Sequence, residues 1–188
     1  MWTGVADDDI DVLSTRRLRL VPMSCELMQL IIAMHWRQVD ETLATTFPQE
    51  WREDGWTWLG DRLADGAKDS RSLVWGTRLA RLPTADPSHE QSVVAEVGFH
   101  GPPDSSGWVE IGYRVVAGCR RQGFAEEAVS ALLVWAGHCD VVGVKASVDP
   151  ENDPSITLLR KLSFIESGAY RHEALGEQLI FRRDSTIR

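Results

Sequence analysis

The chain has 188 residues, 43% of them apolar and 26% charged, with a formal net charge of -8. A chain of that size and balance fits one soluble domain that buries roughly 70% of its unfolded surface. The acidic excess argues against a nucleic-acid partner, which would need clustered Lys and Arg. Apolar runs such as ALLVWAG are too short to span a bilayer, so no membrane partner is expected either.

The N-terminus, MWTGVADDDID, carries acid where a secretory leader would carry base. Residues 1–12 therefore read as a mobile acidic tail on a single domain spanning 13–188, and the expected setting is cytoplasmic. Cys25, Cys119 and Cys139 are odd in number and lack CxxC spacing, which argues against a disulfide framework and against a metal site. Cys119 reads as a spectator.

In chain order, TRRLRLVP alternates Leu18 and Leu20 with Arg17 and Arg19, as a strand with one buried face would. Ser24 is placed to cap a helix whose Leu27, Leu30, Ile31 and Met34 form one stripe. A short helix with Trp56, Leu59 and Leu63 inward is expected within EDGWTWLGDRLADG. Strands are expected at 72–80, 92–99 and 108–116, separated by RLPTADPSHEQ and HGPPDSSG, both rich in turn residues. A helix over 125–136 ended by Gly137, a strand at 141–148 and a helix from about Pro154 with Asp153 as its N-cap come next. Two closing strands complete the chain. Strand, helix, strand over 108–148 predicts a parallel crossover inside a largely antiparallel sheet, an α+β fold.

The stretch CRRQGFAEEAVSALLVWAG carries the most chemistry. Ala125, Ala128, Val129, Leu132, Leu133 and Ala136 make a broad apolar stripe, so this helix faces a sheet. Its N-terminus offers unpaired N–H groups and the positive end of the helix dipole. Gly123 permits φ > 0 and close approach, and Arg120 and Arg121 add charge, so RRQGFA can wrap an anion such as a pyrophosphate. A Walker loop would need Lys-Ser/Thr after its second glycine, and a Rossmann turn would need three glycines; neither is present. Alone, the same residues could be a glycine turn with solvated arginines.

The pattern Arg120-x-x-Gly123-x-Ala125, between VEIGYRVV and a buried helix, resembles the acyl-CoA motif of the GNAT N-acetyltransferases. VKASVDPENDPSITLLRKLSF is similar to that family's next strand and its Asn-x-x-Ser/Ala helix, and STRRLRLVP to the opening strand of the Rim-type (RimJ/RimL-like) branch. The resemblance runs from about residue 14 to 182. It implies a mixed sheet whose strands near 109–116 and 142–148 splay apart around acetyl-CoA. It further implies that Val115 and Val116 backbone groups meet the pantetheine arm. Gln122, Gly123, Phe124 and Ala125 amides would hold the pyrophosphate, with Arg120 and Arg121 beside it, and Asn152 would hydrogen-bond the arm from the other side.

Acetyl transfer to an amine needs a base. On the 108–116 strand, Glu110, Gly112, Arg114 and Val116 share the face opposite Val109, Ile111, Tyr113 and Val115. Glu110 beside Gly112 is the candidate general base, or else a solvated carboxylate paired with Arg114. Glu96 is a second carboxylate on the neighbouring strand, and His100 reads as a turn residue. Many family members carry a tyrosine acid where this chain has Leu159. The Rim-type branch implies Ser155 as the acid instead, and that hydroxyl could equally be a plain first-turn residue. Ser163 stands where the family has glycine, and Glu173 lies near the place of a catalytic Glu in the Rim-type branch. Trp36, Trp51, Trp56 and Trp58 are candidates for acceptor-pocket walls or for core. The resemblance implies an acetyl-CoA-dependent N-acetyltransferase acting on a protein N-terminus or small-molecule amine, as monomer or homodimer. The rival functions are a non-catalytic acyl-CoA-binding regulatory or scaffolding module and a degenerate interaction domain.

Overall fold

The computed structural model describes residues 12–54, 56–69, 71–83 and 93–185. The expected acidic tail therefore lies, except for Val12, outside the described residues, as does most of the RLPTADPSHEQ loop. A short strand β1 (Leu13–Ser14) pairs with β2 (Arg19–Pro22), and Leu18 and Leu20 are buried as their alternation predicts. Ser24 caps α1 (Cys25–Ile32) by accepting from Leu27 N at 3.1 Å. Met34, expected on the α1 stripe, lies beyond the helix end. Its φ is 55, its N–H closes on Ile31 O, and its side chain is exposed, because the chain reverses there into α2 (Trp36–Leu43).

Next come α3 (Gln49–Arg52) and α4 (Trp58–Lys68). Phe47 joins Trp36, Trp51 and Trp56 in one aromatic cluster, with ring centroids 5.6–6.1 Å apart. The single strand expected at 72–80 is corrected. Its first half is a helical turn, α5 (Arg71–Val74), and only β3 (Thr77–Arg81) is extended. SLVW is apolar without alternation, which leaves helix and strand undistinguished. The Asp69 carboxylate settles the matter locally by accepting from Arg71 N at 3.0 Å.

The rest of the sheet comprises β4 (Val93–Phe99), β5 (Trp108–Val115), β6 (Gly143–Val148), β7 (Ile165–His172) and β8 (Gly176–Asp184). Strand order is β1-β2-β3-β4-β5-β6-β8-β7, antiparallel except for the β5–β6 pair. The chain between β5 and β6 forms α6 (Phe124–Gly137), whose Val129, Leu132 and Ala136 are fully buried over β4 and β5. Burying each such Val or Leu contributes about 1.5–3 kcal/mol. Gly137 is the last helical residue and His138 the cap, one residue later than expected. α7 (Asp153–Lys161) is capped by Asn152, which accepts from Ser155 N at 3.2 Å; Asp153, expected as the cap, is the first helical residue. No helix among the described residues is long and apolar enough to cross a membrane.

One long-range clasp ties the N-terminal strands to α6. The Glu127 carboxylate accepts from Thr15 Oγ1 (2.6 Å), Arg17 N (2.7 Å) and Arg17 Nε (2.6 Å). Burial alone would raise this carboxyl, but the Thr15 and Arg17 bonds outweigh it and hold it below its ordinary range. A group depressed in the folded state contributes stability above its unfolded pKa and loses it as pH falls. Glu127→Gln should therefore lower stability by about 1–2 kcal/mol at neutral pH, roughly 3–6 °C in Tm. The difference from wild type should shrink below the carboxylate range. Thermal melts at several pH values check this, and a constant difference down to acid pH would refute it.

Candidate active site

Gly123 is the N-cap of α6 with φ 80, and Arg121 before it has φ 60, so the RRQGFA loop turns through the left-handed region twice. A Cβ at Gly123 would stand 3.2 Å from Arg17 Nη2. Arg17 Nη1 donates to Gln122 O at 2.8 Å, and its guanidinium lies 4.7 Å over the Phe124 ring. Arg120 Nε donates to Val115 O at 3.3 Å, Gln122 Nε2 to Gly118 O at 3.2 Å, and Ala117 N to the Glu50 carboxylate at 2.7 Å. The loop is thus held from several directions, and its glycine leaves the space an anion would need. Arg17 is a third cation beside Arg120 and Arg121 that the sequence did not mark: it lies more than a hundred residues away and reads simply as the polar face of a strand. Cys119, behind the loop, is buried, and burial followed by the Glu50 charge pushes its thiol up, in keeping with a bystander.

β5 and β6 pair only from Trp108↔Gly143 to Glu110↔Lys145. Beyond that point no further pairs join them, so the expected splay is present. His100 N donates to Glu110 O and Val116 N to Val94 O, which places the even-numbered residues of β5 in the ladder to β4. By alternation, Ile111, Tyr113 and Val115 turn their N–H and C=O groups toward the gap. Val115 therefore has its backbone groups on the gap side, with its C=O also accepting from Arg120 Nε. Val116 does not, against what the resemblance implied, since its N–H is bonded to Val94 and its C=O accepts from Cys119 N at 2.8 Å; Tyr113 takes the gap-side position. Across the gap, Asn152 has its carbonyl engaged in capping, which leaves its NH2 as the group able to meet a ligand.

Two cavities flank β5. One, of about 490 Å3, lies in the splay and is lined by Glu110, Tyr113, Asn152, Ser155 and Leu159 among others. The other, of about 420 Å3, lies toward the helical segments and is lined by Trp58, Arg62, Glu96 and Arg114 among others. His100, Gly112 and Tyr113 belong to both. Of the four tryptophans considered as pocket walls, Trp58 alone lines this second cavity. Trp51 and Trp56 are buried and meet edge to face, and the Arg114 guanidinium lies 4.4 and 4.2 Å from their ring centres.

Glu110 does not pair with Arg114. Four strand residues span about 13 Å, too far for an ion pair along one strand. Arg114 instead meets Glu96, its direct cross-strand partner, at 2.6 Å, and also Asp54. Glu110 accepts from Ser147 Oγ at 2.7 Å, with Lys145 Nζ at 3.7 Å and His100 Nδ1 at 3.8 Å. Burial raises the Glu96 carboxyl against the lowering pull of Arg114. Burial chiefly lowers His100, assisted by Arg62 and Lys145 and opposed by Glu110. Tyr113 is raised by burial, and its hydroxyl donates to Ser155 O at 3.4 Å. Ser155 faces the splay cavity from the first turn of α7, beside Asn152. Leu159 is buried. Glu173 sits exposed in the β7–β8 hairpin and lines neither cavity. His100, read from sequence as a turn residue, stands at the junction of the two cavities. No local pattern marks that position, because it depends on the register of β4 against β5.

A parallel pair that splays in front of a glycine-capped helix, within an otherwise antiparallel sheet, is the layout of the GNAT fold. The family model for the acetyltransferase (GNAT) domain matches residues 17–165, and the chain belongs to this family. The uncharacterized N-acetyltransferase YjdG of Bacillus subtilis (strain 168) is 36% identical over 84 residues, which is 43% of this chain and 50% of YjdG. The chain thus matches about half the length of that curated relative. A GnaT-family acetyltransferase structure from Bordetella pertussis superimposes with a TM-score of 0.63 at 23% identity, covering 92% of this chain and 99% of that one. Mycobacterium smegmatis RimJ in complex with CoA-disulfide gives 0.64 at 19% identity, covering 94% and 88%.

Proposed function

We propose that the protein is an acetyl-CoA-dependent N-acetyltransferase that acts on a primary amine by direct transfer. The observation that carries this reading is the meeting of two cavities at Gly112 and Tyr113, one in the splay and one beside the aromatic helices. Amides of Gln122 to Ala125, with Arg17, Arg120 and Arg121 around them, take the pyrophosphate, and the gap-side groups of Tyr113 and Val115 and the Asn152 amide take the pantetheine arm. The thioester then points toward the junction from one side and the amine approaches from the other. Glu110 is the anion of the base system. Ser155 supplies the thiolate proton, and the Tyr113 hydroxyl beside it takes the place of the tyrosine that Leu159 replaces. The acetyltransferase character of YjdG, and the RimJ likeness, support the same reading. The setting we propose is cytoplasmic.

The acceptor preferred under this reading is an amine of low pKa, a peptide α-amine or a comparable small amine, ahead of a lysine side chain. Deprotonating an α-amine near pKa 7.8 at pH 7 costs about 1.1 kcal/mol, against roughly 4.6 for a lysine amine near 10.4. A matched set of peptides with free or blocked N-termini, with and without lysine, run beside small amines, tests this by CoA release. Acetylation of lysine in blocked peptides, with none at free α-amines, would overturn the preference. Acetyl-CoA binding without CoA release on any amine would favour the scaffolding module, for which the loss of the family tyrosine at Leu159 is the supporting observation.

A further inference from the structure

We propose that His100, rather than Glu110, is the group that takes the proton from the acceptor ammonium, with Glu110 as the positioning residue that stabilises the resulting imidazolium. This rests on the N-acetyltransferase reading above. Glu110 lines only the splay cavity, whereas His100 lines both, so an amine arriving beside Trp58 and Arg62 meets the imidazole first.

The ring reaches that point because β5 has a glycine there. A Cβ on Gly112 would lie 2.7 Å from His100 Nε2, closer than side chains approach one another. The backbone of His100 is pinned at both ends: its N–H donates to Glu110 O at 2.8 Å, and its C=O accepts from the Arg62 guanidinium. Its side chain remains 54% exposed, open to a substrate.

The charges facing the ring come from every neighbouring element: Glu110 on β5, Lys145 on β6 and Arg62 on α4, with Glu96 on β4 in the same cavity. Partial desolvation of the ring, with Arg62 and Lys145, lowers the imidazole against the raising pull of Glu110, which favours the neutral ring able to accept a proton. Glu110 is itself held by the Ser147 hydroxyl, with Lys145 beside it. Its negative charge, 3.8 Å from Nδ1, favours the imidazolium once it forms.

The protons balance as follows. The ammonium gives one proton to His100 Nε2. The neutral amine attacks the thioester carbonyl carbon, so that a C–N bond forms and the C–S bond breaks. The departing thiolate takes the Ser155 hydroxyl proton, the second amine proton restores that hydroxyl, and the imidazolium releases its proton to water, one per turnover.

The test compares ethylamine, protonated at pH 7, with trifluoroethylamine, which is nearly isosteric and neutral at that pH. His100→Gln should lower kcat/KM for ethylamine by about 10², and for the neutral amine by no more than about threefold, with acetyl-CoA affinity unchanged. The Glu110→Gln/His100→Gln double variant should be little worse than either single one. Equal losses on both amines, or none, would overturn the role. A wild-type protein that releases no CoA with these amines or with the peptide set would instead bring down the N-acetyltransferase reading itself, and this role with it. An NMR titration of His100 needs no acceptor: its pKa should lie below 6.5 and fall further in Glu110→Gln. A pKa that does not move in that variant also overturns the proposal.

Discussion

Gly123→Val should abolish acetyl-CoA binding while the protein stays folded. Valine is poorly suited to φ 80, and its Cβ would sit 3.2 Å from Arg17 Nη2, so both the loop geometry and the cation beside it are displaced. A branched side chain would also fill the space that the proposed pyrophosphate site needs. The backbone strain is about 1–3 kcal/mol, which a domain stable by about 5–15 kcal/mol can absorb. Calorimetry with acetyl-CoA, paired with circular dichroism, decides the matter. A folded variant with wild-type affinity would remove the RRQGFA loop from the binding site.

The second large effect is at Glu110. Glu110→Gln preserves the shape of the side chain and can still accept from Ser147, but it removes the charge that faces Lys145 and His100. Turnover should fall by about 10², with acetyl-CoA affinity within a few-fold, because the charge matters for moving a proton and the RRQGFA loop lies elsewhere. A rate equal to wild type across about pH 6–9 would make Glu110 structural. Glu96, the half-buried carboxylate of the cavity beside Trp58, would then be the next residue to replace.

Residues whose roles are local were legible. The Leu18 and Leu20 alternation, the Ser24 cap and the stripe from Ala128 to Ala136 each follow from the period of their own element, and the structure places them as expected. Gly123 before a buried helix was legible for the same reason. Where local signals were balanced, the reading failed: SLVW became a helical turn, and the capping of α7 moved from Asp153 to Asn152.

By itself, then, the sequence determined the α+β class, the order of most elements and the glycine in front of α6, because periodicity and turn chemistry act within a few residues. Only the tertiary structure decided which charges meet. Arg114 went to Glu96 because antiparallel register sets those two opposite each other, while Glu110 was left to Ser147, Lys145 and His100. Arg17 came to the loop through Glu127, 110 positions along the chain, and His100 came over Gly112 because β4 and β5 pair in one particular register. Such contacts depend on through-space distance, and composition and spacing along the chain carry no measure of it.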